Sequence, residues 1–168
     1  MSSTLTETSK EELTACENLT STIKKLIKML KDKQPNNMDI DRIQQLLKLA
    51  YMLEHDFIMK RVVPKIWLYK EHIMLMDEKK LFGDEFGTDM IKKDKRAELI
   101  KRLLKLVKDT FKSASKKEKE LVWTEIKSIL ECVLIYIKVR PKAEIEALIK
   151  AFQAEDSDSE ENEDSDDE

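Results

Sequence analysis

Both glycines, Gly83 and Gly87, fall in one short stretch of a 168-residue chain, and the three prolines (Pro35, Pro64, Pro141) stand far apart. A β-sandwich or barrel needs a turn about every 8–12 residues, and this chain lacks the residues to make them. With 39% of its residues charged and with abundant Leu, Ile, Lys and Glu, it suits amphipathic helices. The expected fold is all-α: a single compact bundle of five to six amphipathic helices with a disordered acidic C-terminal tail. The expected layout is a flexible N-terminus over 1–8, a helical domain over 9–153 and the tail over 154–168.

The first helix is expected to open near Ser9, which with Glu12 forms a capping box, and to bury Leu13, Cys16, Leu19, Ile23, Leu26, Ile27 and Leu30. It stops before the turn Gln34-Pro35-Asn36-Asn37, after which Asp39 caps a second helix and Met38 staples onto Ile43. Ile43, Leu46, Leu47, Ala50 and Leu53 make its stripe, so the pair forms an antiparallel hairpin. Pro64 predicts a break in the region that follows. The apolar run from Ile66 to Met76 predicts a central helix buried on most sides. Leu81 to Thr88 reads as a loop, with Thr88 capping a helix that presents Ile100, Leu103, Leu104, Val107 and Phe111. Ser115 and Glu118 form another capping box, opening a helix with Leu121, Val122, Ile126, Ile129, Leu130, Val133 and Ile137 on one side. Arg140-Pro141 ends it, and a short last helix docks through Ile145, Leu148, Ile149 and Phe152.

Charge is unevenly placed. Residues 1–154 hold all 31 bases and 24 of the 34 acids, a net +7, while Glu155 to Glu168 hold ten acids and no base. A block of like charge repels itself and resists collapse, which makes this stretch an interaction or shielding tail. Ser157 and Ser165 precede Glu160 and Glu168 by three residues, the context acidophilic kinases favour, and are candidate phosphorylation sites. Between Lys92 and Lys119 twelve bases face four acids, and Lys101, Arg102, Lys105, Lys108 and Lys112 run along one side of a helix. Such a face meets phosphates or acidic peptides, or is simply soluble. No aromatic is interleaved with the lysines, which disfavours single-strand stacking. Lys92-Lys93-Asp94-Lys95-Arg96 matches a nuclear import pattern.

The chemistry of catalysis is sparse. His55 and His72 are the only histidines and belong to no paired metal-binding motif, so they are expected to be solvated or capping, with no metal and no cofactor. No Cys-x-x-Cys, phosphate loop or nucleophile elbow occurs. Cys16 and Cys132 read as two reduced core thiols. The eight methionines read as core filling or as an adaptable groove. The polar start lacks a secretory pattern and no stretch reaches bilayer length, so an intracellular protein without membrane contact is expected.

Asn36-Asn37-Met38-Asp39-Ile40-Asp41-Arg42, then Leu46, Leu47, Leu49 and Ala50, and later Lys65-Ile66-Trp67-Leu68-Tyr69-Lys70, resemble the integrase-binding domain of the lens epithelium-derived growth factor family. That domain is similar in fold to the N-terminal domain of transcription elongation factor TFIIS. The resemblance spans about residues 26–70 and implies a helical bundle whose interhelical loops capture short acidic segments with a Phe anchor. It places partner contacts on Asn36, Asn37 and Tyr69, with Lys70 a basic rim residue by charge. The chain departs from the family pattern at Asn36, where the family has an acid, at Glu71, and at Trp67 and Leu68. The resulting expectation is a non-enzymatic nuclear module that docks segments of transcription or chromatin proteins. The alternatives are a histone or nucleic-acid chaperone using tail and basic helix, and a cytoplasmic helical adaptor of the death-domain type.

Overall fold

A computed structural model describes residues 2–83 and 97–165, and among these residues there are seven helices and no strand. The all-α expectation holds, with one helix more than the upper count. Thr88, Gly87 and the Lys92–Arg96 pattern lie outside the described residues.

The longest helix, α1 (Ser2–Lys33), starts well before Ser9. Ser9 is therefore helix interior rather than a cap, because Thr4 to Thr8 contain neither Pro nor Gly to stop the helix from extending. After the turn at Pro35, α2 (Met38–Leu53) is capped by Asn37, not Asp39: the Asn37 side chain accepts from the amides of Asp39 (2.9 Å) and Ile40 (3.4 Å). With the cap at 37, Met38 becomes the first helical residue, is 69% exposed and makes no staple. Helix α3 (Phe57–Met74) runs straight through Pro64. A proline inside a helix costs roughly 3 kcal/mol. Here Pro64 is buried beside fully buried Val63, so tertiary packing offsets the lost hydrogen bond and the expected break does not occur.

Helix α4 (Glu78–Phe82) occupies the start of the expected glycine loop and buries Leu81 and Phe82. Helix α5 (Ala97–Ser113) is followed by α6 (Lys116–Val139), whose cap Ser115 accepts from the Glu118 amide at 3.2 Å, as its spacing predicts. Arg140, in extended conformation, ends α6, and α7 (Lys142–Ser165) begins after Pro141. The backbone of α7 is helical through Ser165, whereas the charge run leads to the expectation of disorder from residue 154. No Pro or Gly interrupts this stretch, and Ala and Glu support helix locally.

Helices α1 and α6 form the central antiparallel pair: Glu12 of α1 meets Arg140 at one end, and Lys33 meets Glu118 at the other. The main core joins Ala15, Cys16 and Leu19 of α1 to Met59 and Val63 of α3, Ile129, Cys132, Val133 and Tyr136 of α6, and Ile145 of α7. Small residues on both α1 and α6 allow the two to pack closely. Both cysteines are free and buried there. Ile27, Ile40 and Leu47 make a second cluster between α1 and α2, as the hairpin reading requires. The expected central role of α3 is not seen: Leu68, Met74, Leu75 and Met76 are 40–78% exposed. Six buried residues of α6 take that place, three of them (Trp123, Cys132, Tyr136) outside the stripe read from spacing.

Candidate functional site

Helices α5 and α6 are joined by only Ala114 and Ser115, yet their backbones approach closely at few points. They meet instead through rings. Phe82 of α4 stacks on Phe111 of α5 with centroids 3.8 Å apart and planes 6° from parallel, and Trp123 of α6 sets its edge against both, at 5.6 and 6.2 Å. Edge-to-face contacts of this kind contribute about 0.5–1.5 kcal/mol each beyond burial. The rings hold the helices together at a distance that leaves space above them.

That space is an apolar cavity of about 140 Å³, walled by Leu26, Met29 and Leu30 of α1, Val107 and Phe111 of α5, and Val122 and Ile126 of α6, with Phe82 below. A cavity of ~150 Å³ with an aliphatic and aromatic lining is large enough to hold benzene. Leu103, Leu104 and Val107 are only half-buried, so the apolar stripe of α5 is incompletely covered by the helices beside it. An incompletely covered stripe over an apolar cavity is the structural basis of a groove that accepts a guest side chain.

The rim of the cavity is charged. Lys33 sits 2.8 Å from Glu118, and this lysine, more than any other influence, holds the Glu118 carboxyl below its usual range although partial burial opposes it. The Lys119 ammonium lies over the Phe111 ring, 5.1 Å from its centre. On the outer side of α5, Lys101 approaches Glu98 at 3.7 Å, and Lys105 is exposed. Arg102 is committed elsewhere: its guanidinium makes two hydrogen bonds, 2.9 and 3.2 Å, to the Asp39 carboxylate at the start of α2. This bidentate pair holds the Asp39 carboxyl well below its ordinary range and ties α5 to α2. The basic face is therefore partly structural; Lys108 and Lys112 each have an interaction of their own.

The residues read from the family resemblance do not form one cluster around this cavity. Asn36 is exposed in the α1–α2 turn, and Asn37 uses its side chain to cap α2 and to donate to Gln34 at 3.0 Å. Tyr69 is half-buried against the Phe82–Trp123 cluster and packs near the His72 ring, with centroids 6.2 Å apart. Lys70 holds its ammonium 3.7 Å over the Trp67 ring. Ser157 and Ser165 lie on the backbone of α7. The cavity itself was not legible as a site, because Leu26, Leu30, Val107, Val122 and Ile126 carry the same spacing signal as any core stripe. The one available clue was the aromatic set Phe82, Phe111 and Trp123, gathered from three separate segments.

No protein-family model, curated protein or solved structure matches this chain. Among the described residues no helix is long and apolar enough to cross a membrane.

Proposed function

We propose that this chain is a non-enzymatic helical docking module that captures a short acidic segment of another protein by seating an aromatic ring in the α1–α5–α6 cavity. The observation that carries this reading is the ring-sized apolar cavity beneath an under-covered, basic helix. An aromatic anchor supplies most of the affinity by burying its ring against the apolar walls. Acids flanking that anchor pair with the lysines along α5 and at the ends of α1 and α6, which fixes orientation and speeds encounter. The resemblance to the integrase-binding domain points the same way and directs the search to nuclear transcription and chromatin proteins. It would place the contact at the α1–α2 turn and Tyr69 rather than in the cavity.

The test is fluorescence anisotropy with a labelled peptide of Asp and Glu residues around a single Phe, against its Phe→Ala counterpart. Ala114→Trp, which fills the cavity from the end of α5, should weaken binding at least tenfold and leave circular dichroism unchanged. Asn37→Ala with Tyr69→Ala should have little effect. The reverse pattern would move the site to the family-derived residues. Equal binding of the Phe and Ala peptides would end the anchor reading. Capture of mixed histones that disappears when residues 155–168 are removed would favour a chaperone instead.

A further inference from the structure

A polar cluster lies at the far end of the α1–α6 pair from the cavity. Glu12 of α1, His55 in the α2–α3 corner and Asp56 at the start of α3 bring one ligand atom each within 4.8 Å of one another. The three are adjacent in space although Glu12 is more than forty residues from the other two. His55 Nε2 is 3.5 Å from Glu12 Oε1. That separation matches the edge of a tetrahedron around zinc, about 3.3–3.6 Å for bonds of roughly 2.0–2.2 Å.

The Asp56 side chain is only 6% exposed and one of its oxygens, Oδ1, has no hydrogen-bond partner. The other oxygen is occupied, accepting from Tyr136 at 3.2 Å and facing Lys60 at 3.5 Å. A buried carboxylate oxygen without a donor is costly and calls for an explanation, and a bound cation supplies one. Glu12 is similarly divided: Oε1 faces His55 while Oε2 meets Arg140 at 3.4 Å. Each carboxylate thus has one oxygen held by a neighbour; of the other two oxygens, Glu12 Oε1 faces His55 and Asp56 Oδ1 has no hydrogen-bond partner. Around it four carboxylates (Glu12, Glu54, Asp56, Glu144) pair with two cations (Lys60, Arg140), which leaves two negative charges. A divalent ion cancels them.

We propose that Glu12, His55 and Asp56 bind one divalent transition-metal ion of the zinc type. An imidazole with two carboxylates prefers such an ion over magnesium or calcium, which favour oxygen alone. His55 is the exposed edge of the site, with 46% of its side chain open, so solvent can fill the remaining coordination positions. The ion would clamp the first half of α1 to the α2–α3 corner. The competing account is that Glu12 and His55 form only a surface ion pair.

The experiment titrates zinc chloride into the full chain, stripped beforehand with chelator, by calorimetry and thermal unfolding. One equivalent should bind and raise the unfolding temperature. His55→Ala, at a half-exposed position where folding is not at risk, should weaken binding about a hundredfold, while His72→Ala should not change it. Cobalt substitution then reads the ligands directly. Visible d–d bands without thiolate charge transfer support the site, whereas thiolate charge transfer would assign the ion to Cys16 or Cys132 and overturn it. Absence of one-to-one binding, or wild-type affinity in His55→Ala, would also overturn the proposal.

Discussion

The Tyr136 hydroxyl donates a 3.2 Å hydrogen bond to Oδ2 of Asp56, joining the last third of α6 to the start of α3 inside the core. Tyr136 is fully buried and Asp56 nearly so. Burial works against ionising Asp56, but Lys60 and the hydrogen bonds from its neighbours outweigh it and hold the carboxyl below its usual range. Burial and the adjacent Asp56 charge push the Tyr136 hydroxyl the other way, so it stays protonated and remains a donor. Tyr136→Phe keeps the ring and deletes the donor. It should cost about 1.5–3 kcal/mol, the range for hydrogen bonds to charged groups. A lowered urea midpoint with unchanged slope would show this; an unchanged midpoint would mean that Lys60 alone satisfies the carboxylate.

Much of the fold was legible because its signals are local. Ser115 with Glu118 three residues on, Pro35 between two helical stripes and Arg140 before Pro141 each fix a boundary within one turn of chain, and each boundary is where the structure has it. Pro64 was misread because its local cost is real and only its burial between α3 and its neighbours outweighs it, which is a tertiary fact. Asp39 was misread as a cap because Asn37, two residues earlier, has the same capacity; the Arg102 guanidinium then occupies the carboxylate. The polar cluster was illegible for another reason. Glu12 and His55 have no sequence spacing that would pair them, and they meet only because α1 lies along the end of α2.

Met76 sits at φ 54°, in the left-handed region, at the end of α3. Its amide bonds to the Ile73 carbonyl at 3.1 Å and the Asp77 amide to the His72 carbonyl at 2.9 Å, the paired bonds of a helix end that normally uses glycine. A methionine in this conformation is strained by about 1–2 kcal/mol, part of which glycine gives back as unfolded-state entropy. Met76→Gly should therefore raise the unfolding temperature by about 2–4 °C. A decrease would mean that the half-exposed Met76 side chain packs usefully.

Asp39 is held below its ordinary value of 3.8 chiefly by its hydrogen bond from Arg102, and Glu118 below 4.5 chiefly by that from Lys33. A carboxyl depressed in the folded state contributes stability that is complete above its unfolded value and disappears as pH falls through the lower, folded one. Thermal stability should accordingly fall between about pH 4.5 and pH 2. Arg102→Ala and Lys33→Ala should each flatten that slope without altering stability at low pH. Both pairs are exposed and the effect is a shift of a few degrees, weakened by salt. Identical slopes in wild type and both variants would assign the acid transition to other groups.

Cys16 has its thiol pushed up to about 12, by burial first and then by the nearby Asp56 and Glu12 charges, and Cys132 is raised mainly by burial. Only the thiolate reacts, so both should resist alkylation in the native protein. Iodoacetamide at pH 8 should label neither until denaturant is added. Rapid labelling of either residue in the folded chain would show that the α1–α6 contact opens.

Beyond Ala154 the sequence offers α7 no further apolar residue, and the ten acids of Glu155 to Glu168 run toward and past the negative end of the helix dipole. Asp156, Glu160 and Asp164 follow one another at four-residue spacing, a like-charge sequence pattern that disfavours helix. The helical backbone of this stretch should be weak at neutral pH and strengthen when the acids are neutralised. Comparing circular dichroism of the full chain with a 1–154 truncation isolates its signal. That difference should grow below about pH 4, where carboxylates ordinarily protonate, while at neutral pH the truncation unfolds within a few degrees of the full chain. Phosphorylation at Ser157 and Ser165 would act in the opposite sense, each phosphate adding roughly −1.5 to −2 charges and loosening the helix further. A released, more negative tail would compete better for the lysines of α5, so Ser157→Asp with Ser165→Asp should weaken binding of an acidic peptide at low salt and not at high salt. Equal affinities at low salt for wild type, the double Asp variant and the truncation would show that the tail does not reach that face.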